Sequence, residues 1–207
     1  DYRNADASIA EMCGNGLRVF LRYLAEEGLI EPDSDVRVGT RAGERGGRLL
    51  PDGRVRVWMG QPRLEAGAYG VRIGERTWPA MYADLGNPHL VVLLDEASEL
   101  AGLDLRDQPG WTPEGDFPTG VNIEFAVPGD VTAMRVWERG VGETFSCGTG
   151  TVAVAAAVAA RAGMTAGSFI IEPPGGSLTV DLRDGEARLT GPAVIVARGT
   201  IDLEAHP

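Results

Sequence analysis

Two cysteines occur in this chain of 207 residues, and each opens the same short motif. Cys13-Gly14-Asn15-Gly16 and Cys147-Gly148-Thr149-Gly150 both lead into a stretch with helical character. A cysteine at a helix N-terminus lies at the positive end of the macrodipole, which favours its thiolate. The glycines allow close backbone approach, and the free N–H groups of a first turn suit a carboxylate. One such turn is as readily a structural cap, and an isolated thiol is most often a small buried hydrophobe. Two, at matching places, point to a shared task. If they face each other, one thiolate can take an α-proton from a carbon centre while the other thiol donates from the opposite side. The two helix ends would stabilise the enolate-like charge, and a closed cleft would strip water from the thiolate.

Composition narrows the chemistry further. All 19 basic residues are arginine, so no lysine is present. That excludes an internal aldimine with pyridoxal phosphate, a Walker phosphate loop and lysine-based aldol chemistry. No cofactor is expected, and an α-proton would have to be removed directly. Compositional bias of the source accounts for the missing lysines equally well. The net charge of −11 argues against nucleic acid and anionic membrane as partners. The longest purely apolar run, Val152 to Ala160, is too short to span a bilayer. The chain opens Asp1-Tyr2-Arg3 without a basic or apolar leader, so it reads as a cut boundary with no signal peptide. Free thiols and no leader together point to the cytoplasm. There is no CxxC pair, and His89 is the only histidine away from the terminus. No metal site is expected, and His89 is assigned a supporting role near the site.

The elements that must position these residues are mostly strands. Leu17, Phe20, Leu21 and Leu24 follow helical spacing and predict a helix over Asn15–Glu27, stopped by Gly28. Thr149–Arg161 predicts a second helix, apolar on all sides and therefore buried, stopped by Gly163. A short helix is expected near Ala97–Leu100. Val36–Val38, Arg54–Met59, Val121–Phe125 and Leu178–Leu182 alternate with period two, and Leu90–Leu94 is a short apolar run. Pro192–Leu203 is expected as a last strand. Asp52-Gly53 and Asp184-Gly185 predict hairpin turns. The plan repeats, because each cysteine is followed by a helix, a glycine stop, a strand and an Asp-Gly turn. Asn4 lies as far before Cys13 as Glu138 lies before Cys147. An α/β (α+β) fold of two pseudo-symmetric lobes follows, each a curved, mostly antiparallel sheet around a central helix, with the site in the cleft between them. Residues 1–60 with 192–207 form the first lobe and 61–191 the second, with the crossing near Gly60–Gly70.

At this level of detail the sequence resembles the diaminopimelate epimerases. Asn4-Ala5-Asp6-Ala7-Ser8 leading to Met12-Cys13-Gly14-Asn15-Gly16 is similar to their first signature. Glu138-Arg139-Gly140-Val141-Gly142-Glu143-Thr144 with Ser146-Cys147-Gly148-Thr149-Gly150 is similar to the second. Leu85-Gly86-Asn87-Pro88-His89 and Val121-Asn122 resemble the motifs between, in order. The resemblance implies interconversion of LL- and meso-diaminopimelate, a step toward lysine and cell-wall precursors, without pyridoxal phosphate or metal. It implies Cys13 and Cys147 as the acid/base pair. Gly14, Asn15, Gly148 and Thr149 would supply the α-carboxylate cradle. Asn4, Asn87, Asn122, Glu138 and Arg139 would bind the substrate's ammonium and carboxylate groups, and a homodimer is implied. Arg139 suits a carboxylate and Glu138 an ammonium. Taken singly, Glu138 and Arg139 also read as a surface pair, Asn122 as a solvent-facing strand residue and Asn87 as a turn. Asp6-Ala7 departs from the family's usual Asp-Gly. The resemblance also implies a preceding segment with a Gly-Asn-Asp-Phe-like stretch that completes the first lobe.

Four other readings compete, of which the two of the same fold are disfavoured. Proline racemase-like enzymes share the cysteine pair but typically carry histidine where Asn15 stands. Phenazine-biosynthesis-like isomerases usually lack the pair. A binding module made inactive by truncation, or a thiol sensor that joins Cys13 to Cys147, would need no turnover; the disulfide requires cysteine Cα atoms within about 7 Å.

Overall fold

The computed structural model describes residues 2–3, 9–10, 13–41 and 43–199. Strands β1 (Tyr2–Arg3) and β2 (Ile9–Ala10) form a separate antiparallel ribbon. Helix α1 (Gly14–Glu26) follows, then β3 (Val36–Thr40), β4 (Gly43–Leu49) and β5 (Val55–Gly60). The chain continues through β6 (Arg63–Ile73), β7 (Arg76–Asp84), β8 (Pro88–Leu93), α2 (Ala97–Ala101) and β9 (Gly110–Thr112). Next come β10 (Asn122–Val127), β11 (Val131–Glu138), β12 (Gly142–Thr144) and α3 (Gly148–Arg161). Strands β13 (Gly167–Glu172), β14 (Leu178–Arg183) and β15 (Glu186–Gly191) complete the order.

Strands β3 to β15 build one open sheet, in the order β3-β4-β5-β15-β14-β13-β11-β10-β8-β7-β6-β9, with β12 on β11. Only β8–β10 and β11–β13 pair in parallel. The long-range pairing of β5 with β15 carries the sheet across the chain's two halves. The Asp184-Gly185 turn works as its dipeptide demands, with both residues at positive φ, 51° and 75°. Both main helices end at a glycine of φ 68°, Gly28 and Gly163. Among the described residues no helix is long and apolar enough to cross a membrane.

Two hydrophobic clusters hold the sheet. One joins Leu17 and Leu21 of α1 with Val152, Ala153 and Ala157 of α3 and with Val57, Val180 and Leu189 of the sheet. The other packs Leu90, Val92, Ile123 and Phe125 under Leu100, Leu103, Leu105 and Phe117. Strands β8 and β10 are therefore covered on both faces. Along β10 the expected polar/apolar alternation places Asn122 and Glu124 on the α3 side, yet Asn122 through Ala126 are all buried. Parallel pairing with β8 and a second apolar layer remove the solvent face that the alternation anticipates.

One further expectation changes. The strand expected over Pro192–Leu203 does not form across 192–199, and its remaining residues lie outside the described ones. Pro192 has no N–H to donate, and its carbonyl accepts from Arg18 Nε at 3.4 Å. Val194 and Val196 stand exposed beyond it.

Candidate active site

Both cysteines are helix N-caps in extended conformation. Cys13 (φ −136°, ψ 112°) precedes α1, and Cys147 (φ −117°, ψ 119°) precedes α3. Gly16 N–H donates to Cys13 Sγ at 3.3 Å, and Gly150 N–H donates to Cys147 Sγ at 3.4 Å. Each cysteine carbonyl accepts the first helical bond, from Leu17 and Thr151 respectively, both at 2.9 Å. The N–H groups ahead of these, at Gly14, Asn15, Gly148 and Thr149, precede the first intrahelical donors.

The two helix starts meet. A methyl group on Gly148 would come within 3.2 Å of Gly14 Cα and 3.5 Å of Asn15 N. Only glycines allow backbones this close. Asn15 Nδ2 bridges the junction, donating to Ser146 O at 3.0 Å, while Asn15 Oδ1 is buried without a partner. Gly14, Asn15 and Gly148 of the cradle thus lie at one junction.

Most of the remaining assigned residues converge on Cys147. Pro88 opens β8 and holds Asn87 just outside it. Asn87 Nδ2 donates to Thr149 Oγ1 at 3.4 Å, and the Thr149 hydroxyl lies 3.5 Å from Cys147 Sγ. His89 Nε2 lies 3.1 Å from Asn87 Oδ1, and His89 Nδ1 lies 2.7 Å from Glu124 Oε1. Asn122 is buried and donates to Pro88 O at 3.1 Å, while its Oδ1 accepts from Arg139 N–H at 3.0 Å. The solvent-facing alternative for Asn122 is therefore wrong, because the parallel register sets it opposite His89. Glu138 accepts from the Thr144 hydroxyl and forms no pair with Arg139. The Arg139 guanidinium is exposed and donates to Thr119 Oγ1 at 3.3 Å. Asn4 lies outside the described residues.

The charges around Cys147 are unfavourable to its thiolate. Burial raises its pKa well above the usual thiol range, and the Glu138 and Glu124 carboxylates push the same way. The Thr149 hydroxyl and Gly150 N–H act in the opposite direction. Glu124 is fully buried, so its own carboxyl is shifted upward despite His89 beside it.

Sequence reasoning missed Glu124. A glutamate two residues after Asn122 shares its strand face, which was the available signal. It also missed Arg18, buried one turn into α1 with Nη1 unpartnered. Among the described residues no group of three or more His, Cys, Asp or Glu side chains gathers as a metal site.

The fold is shared with solved structures of a probable proline racemase and of a phenazine biosynthesis protein. A probable proline racemase from Agrobacterium radiobacter K84 superposes with a TM-score of 0.71 at 20% identity, over 98% of this chain and 71% of that one. The phenazine biosynthesis protein of the PhzF family from Bacillus anthracis gives 0.65 at 16% identity, over 88% and 73%. At these identities the likeness shows the fold. Sequence carries the assignment further: the diaminopimelate epimerase family model matches residues 1–65 and 81–200. The diaminopimelate epimerase of Streptomyces coelicolor is 48% identical over 98% of this chain and 72% of that protein. That of Rhodococcus erythropolis is 49% identical over 97% and 70%. The chain belongs to the diaminopimelate epimerase family.

Proposed function

We propose that this chain is an isomerase that interconverts LL- and meso-2,6-diaminopimelate by direct proton transfer between two thiols, Cys13 and Cys147. One observation carries the reading: both cysteines cap helices whose first turns touch at Gly14 and Gly148. An α-carboxylate held there would accept from N–H groups of both helices and place its α-carbon between the thiols. One cysteine, as thiolate, takes the α-proton and becomes a thiol. The electron pair left behind is spread onto the carboxylate, where the helix ends stabilise it. The other cysteine, as thiol, gives its proton to the opposite face and is left as thiolate. No net proton is gained or lost, and the reverse turnover restores the starting state.

Asn4, Asn87, Asn122, Glu138 and Arg139 are assigned to the substrate's ammonium groups and its second carboxylate. His89 is assigned a supporting role. The two-lobe division at residues 1–60 with 192–207 against 61–191 belongs to the same reading, with one cysteine-capped helix in each lobe. So do a reducing, cytoplasmic setting, which free thiols need, and a homodimer, which sedimentation would test.

The deciding experiment follows α-proton exchange. Incubation with LL-diaminopimelate in deuterated water should yield the meso isomer carrying deuterium at the inverted carbon. Exchange on proline instead, or on neither compound, would reject the assignment.

A further inference from the structure

Glu124 stands apart from the residues that the site needs for substrate. It is 0% exposed, as is His89. Its Oε1 meets His89 Nδ1 at 2.7 Å, and its Oε2 is buried without a partner. The backbone of α3 presses directly on this carboxyl group: a methyl group on Gly150 would fall 2.5 Å from Oε1. The second glycine of the Cys-Gly-Thr-Gly turn therefore makes room for a carboxyl group under the helix. An ionised carboxylate here would leave one charged oxygen dry, which costs several kcal/mol.

Hydrogen-bond directions fix the rest. Asn87 presents Oδ1 to His89 Nε2 and Nδ2 to Thr149 Oγ1. An amide oxygen only accepts, so Nε2 must carry a proton. A neutral imidazole protonated at Nε2 has a bare Nδ1, which must accept from its neighbour. That neighbour is Glu124.

We propose that Glu124 is a positioning residue, a protonated carboxylic acid that donates to His89 Nδ1 and so points a chain of donors at Cys147. The chain runs Glu124 O–H to His89, His89 Nε2–H to Asn87 Oδ1, Asn87 Nδ2–H to Thr149 Oγ1, and Thr149 O–H to Cys147 Sγ. Thr149 accepts from Asn87, which leaves its own hydrogen free for the sulfur. Flipping the Asn87 amide, as a bare His89 Nε2 would require, would turn the Thr149 hydrogen away from Cys147. The chain thus supplies a donor to a thiolate that burial and the carboxylate of Glu138 disfavour. A pair with no net charge also spares Cys147 a second buried anion beside it. This inference rests on Cys147 being one of the two proton-transfer groups.

The first test needs no turnover. The chain holds two histidines, His89 and His206, so imidazole nitrogen NMR shows two spin systems, and His206→Ala leaves one. His89 should be protonated at Nε2 and bare at Nδ1 at the pH of activity. A proton on Nδ1 with bare Nε2, or protons on both, would overturn the proposal. The second test compares two variants by kcat and KM. Glu124→Gln keeps a donor for Nδ1 and should hold kcat within about threefold, since one neutral hydrogen bond replaces another. Glu124→Leu fills similar space without a donor and should lower kcat about tenfold with KM within about twofold. Leu matching the parent would mean that Glu124 only packs. Gln falling as far as Leu would mean that its charge matters instead, and either result rejects the proposal. If the Leu variant does not fold, the tautomer and the Gln variant still decide. Failure of the two-thiol reading would show separately, as epimerisation that survives Cys147→Ala.

Discussion

Cys13 and Cys147 accept nearly the same bond, at 3.3 Å from Gly16 N–H and 3.4 Å from Gly150 N–H. Their helices differ sharply. Helix α1 buries one face, through Leu17, Arg18 and Leu21, and leaves Val19, Phe20 and Tyr23 exposed. Helix α3 is buried almost throughout, from Gly148 to Ala157. Cys13 is half-buried, whereas Cys147 is buried and has Thr149, Asn87, His89 and Glu124 behind it in series. The repeat has preserved the local cap and let the surroundings diverge. A backbone motif can fix where a thiol points, but its acidity is set by whatever packs around it.

The largest expected effect concerns the shared feature. Cys13→Ala and Cys147→Ala should each lower epimerisation by at least about 10²-fold, the lower end for a lost general acid or base. A variant that keeps full turnover in the deuterium assay would break the symmetry of roles. Next comes the helix junction, where the two halves should respond unequally. Gly148→Ala sets a methyl group against Gly14 backbone at 3.2 Å, whereas Gly14→Ala meets the mobile end of Met59 at 3.0 Å. Gly148→Ala should be destabilising by about 1–3 kcal/mol and Gly14→Ala by less, as denaturant midpoints would report. Equal losses would mean that the contact is not shared unevenly.

A pH effect should belong to Cys147. An unfolded thiol ionises near pH 8.5, roughly its free value, while the buried Cys147 keeps its proton to higher pH. Above about pH 8.5 the unfolded state then binds fewer protons, so stability falls as pH rises, by at most about 1.4 kcal/mol per pH unit. Cys147→Ala should flatten that slope in urea melts taken between neutral and alkaline pH. An unchanged slope would assign the loss to other groups. The smallest effects lie on the outer faces of the helices. Arg22 pairs with Glu26 on α1 at 2.7 Å, and Arg161 pairs with Asp95 beside α3 at 2.8 Å, all near solvent. Replacing either arginine by alanine should shift stability by less than about 1 kcal/mol.

Local features were the legible part. Both helices begin within a residue of expectation, because Cys-Gly-X-Gly and the glycine stops act on the backbone alone. The Asp-Gly turns were readable for the same reason. The sequence also singled out Asn87, Thr149 and His89, which hydrogen bonds join in the structure, and Asn122, which the register sets opposite His89. Less was readable wherever the neighbour decides. Val121–Phe125 looked half-exposed, and only its parallel register beside β8 under a second apolar layer makes it buried. Pro192–Leu203 looked like strand, yet strand needs a partner edge, and its described residues, 192–199, pair with none. Glu124 carried a signal in its spacing from Asn122, but a charged residue in an alternating strand ordinarily faces water.

The sequence by itself determined the absence of lysine, the two cysteine-capped helices and the motif set that marks the family. These depend on residue type and on contacts within a few positions along the chain. The tertiary structure alone decided that Gly14 and Gly148 touch, and that Glu124, His89, Asn87 and Thr149 line up behind one cysteine and not the other. The physical reason is that burial and hydrogen-bond direction arise between segments far apart in sequence. Neither is fixed until the strands β8 and β10 and the helix α3 lie against one another.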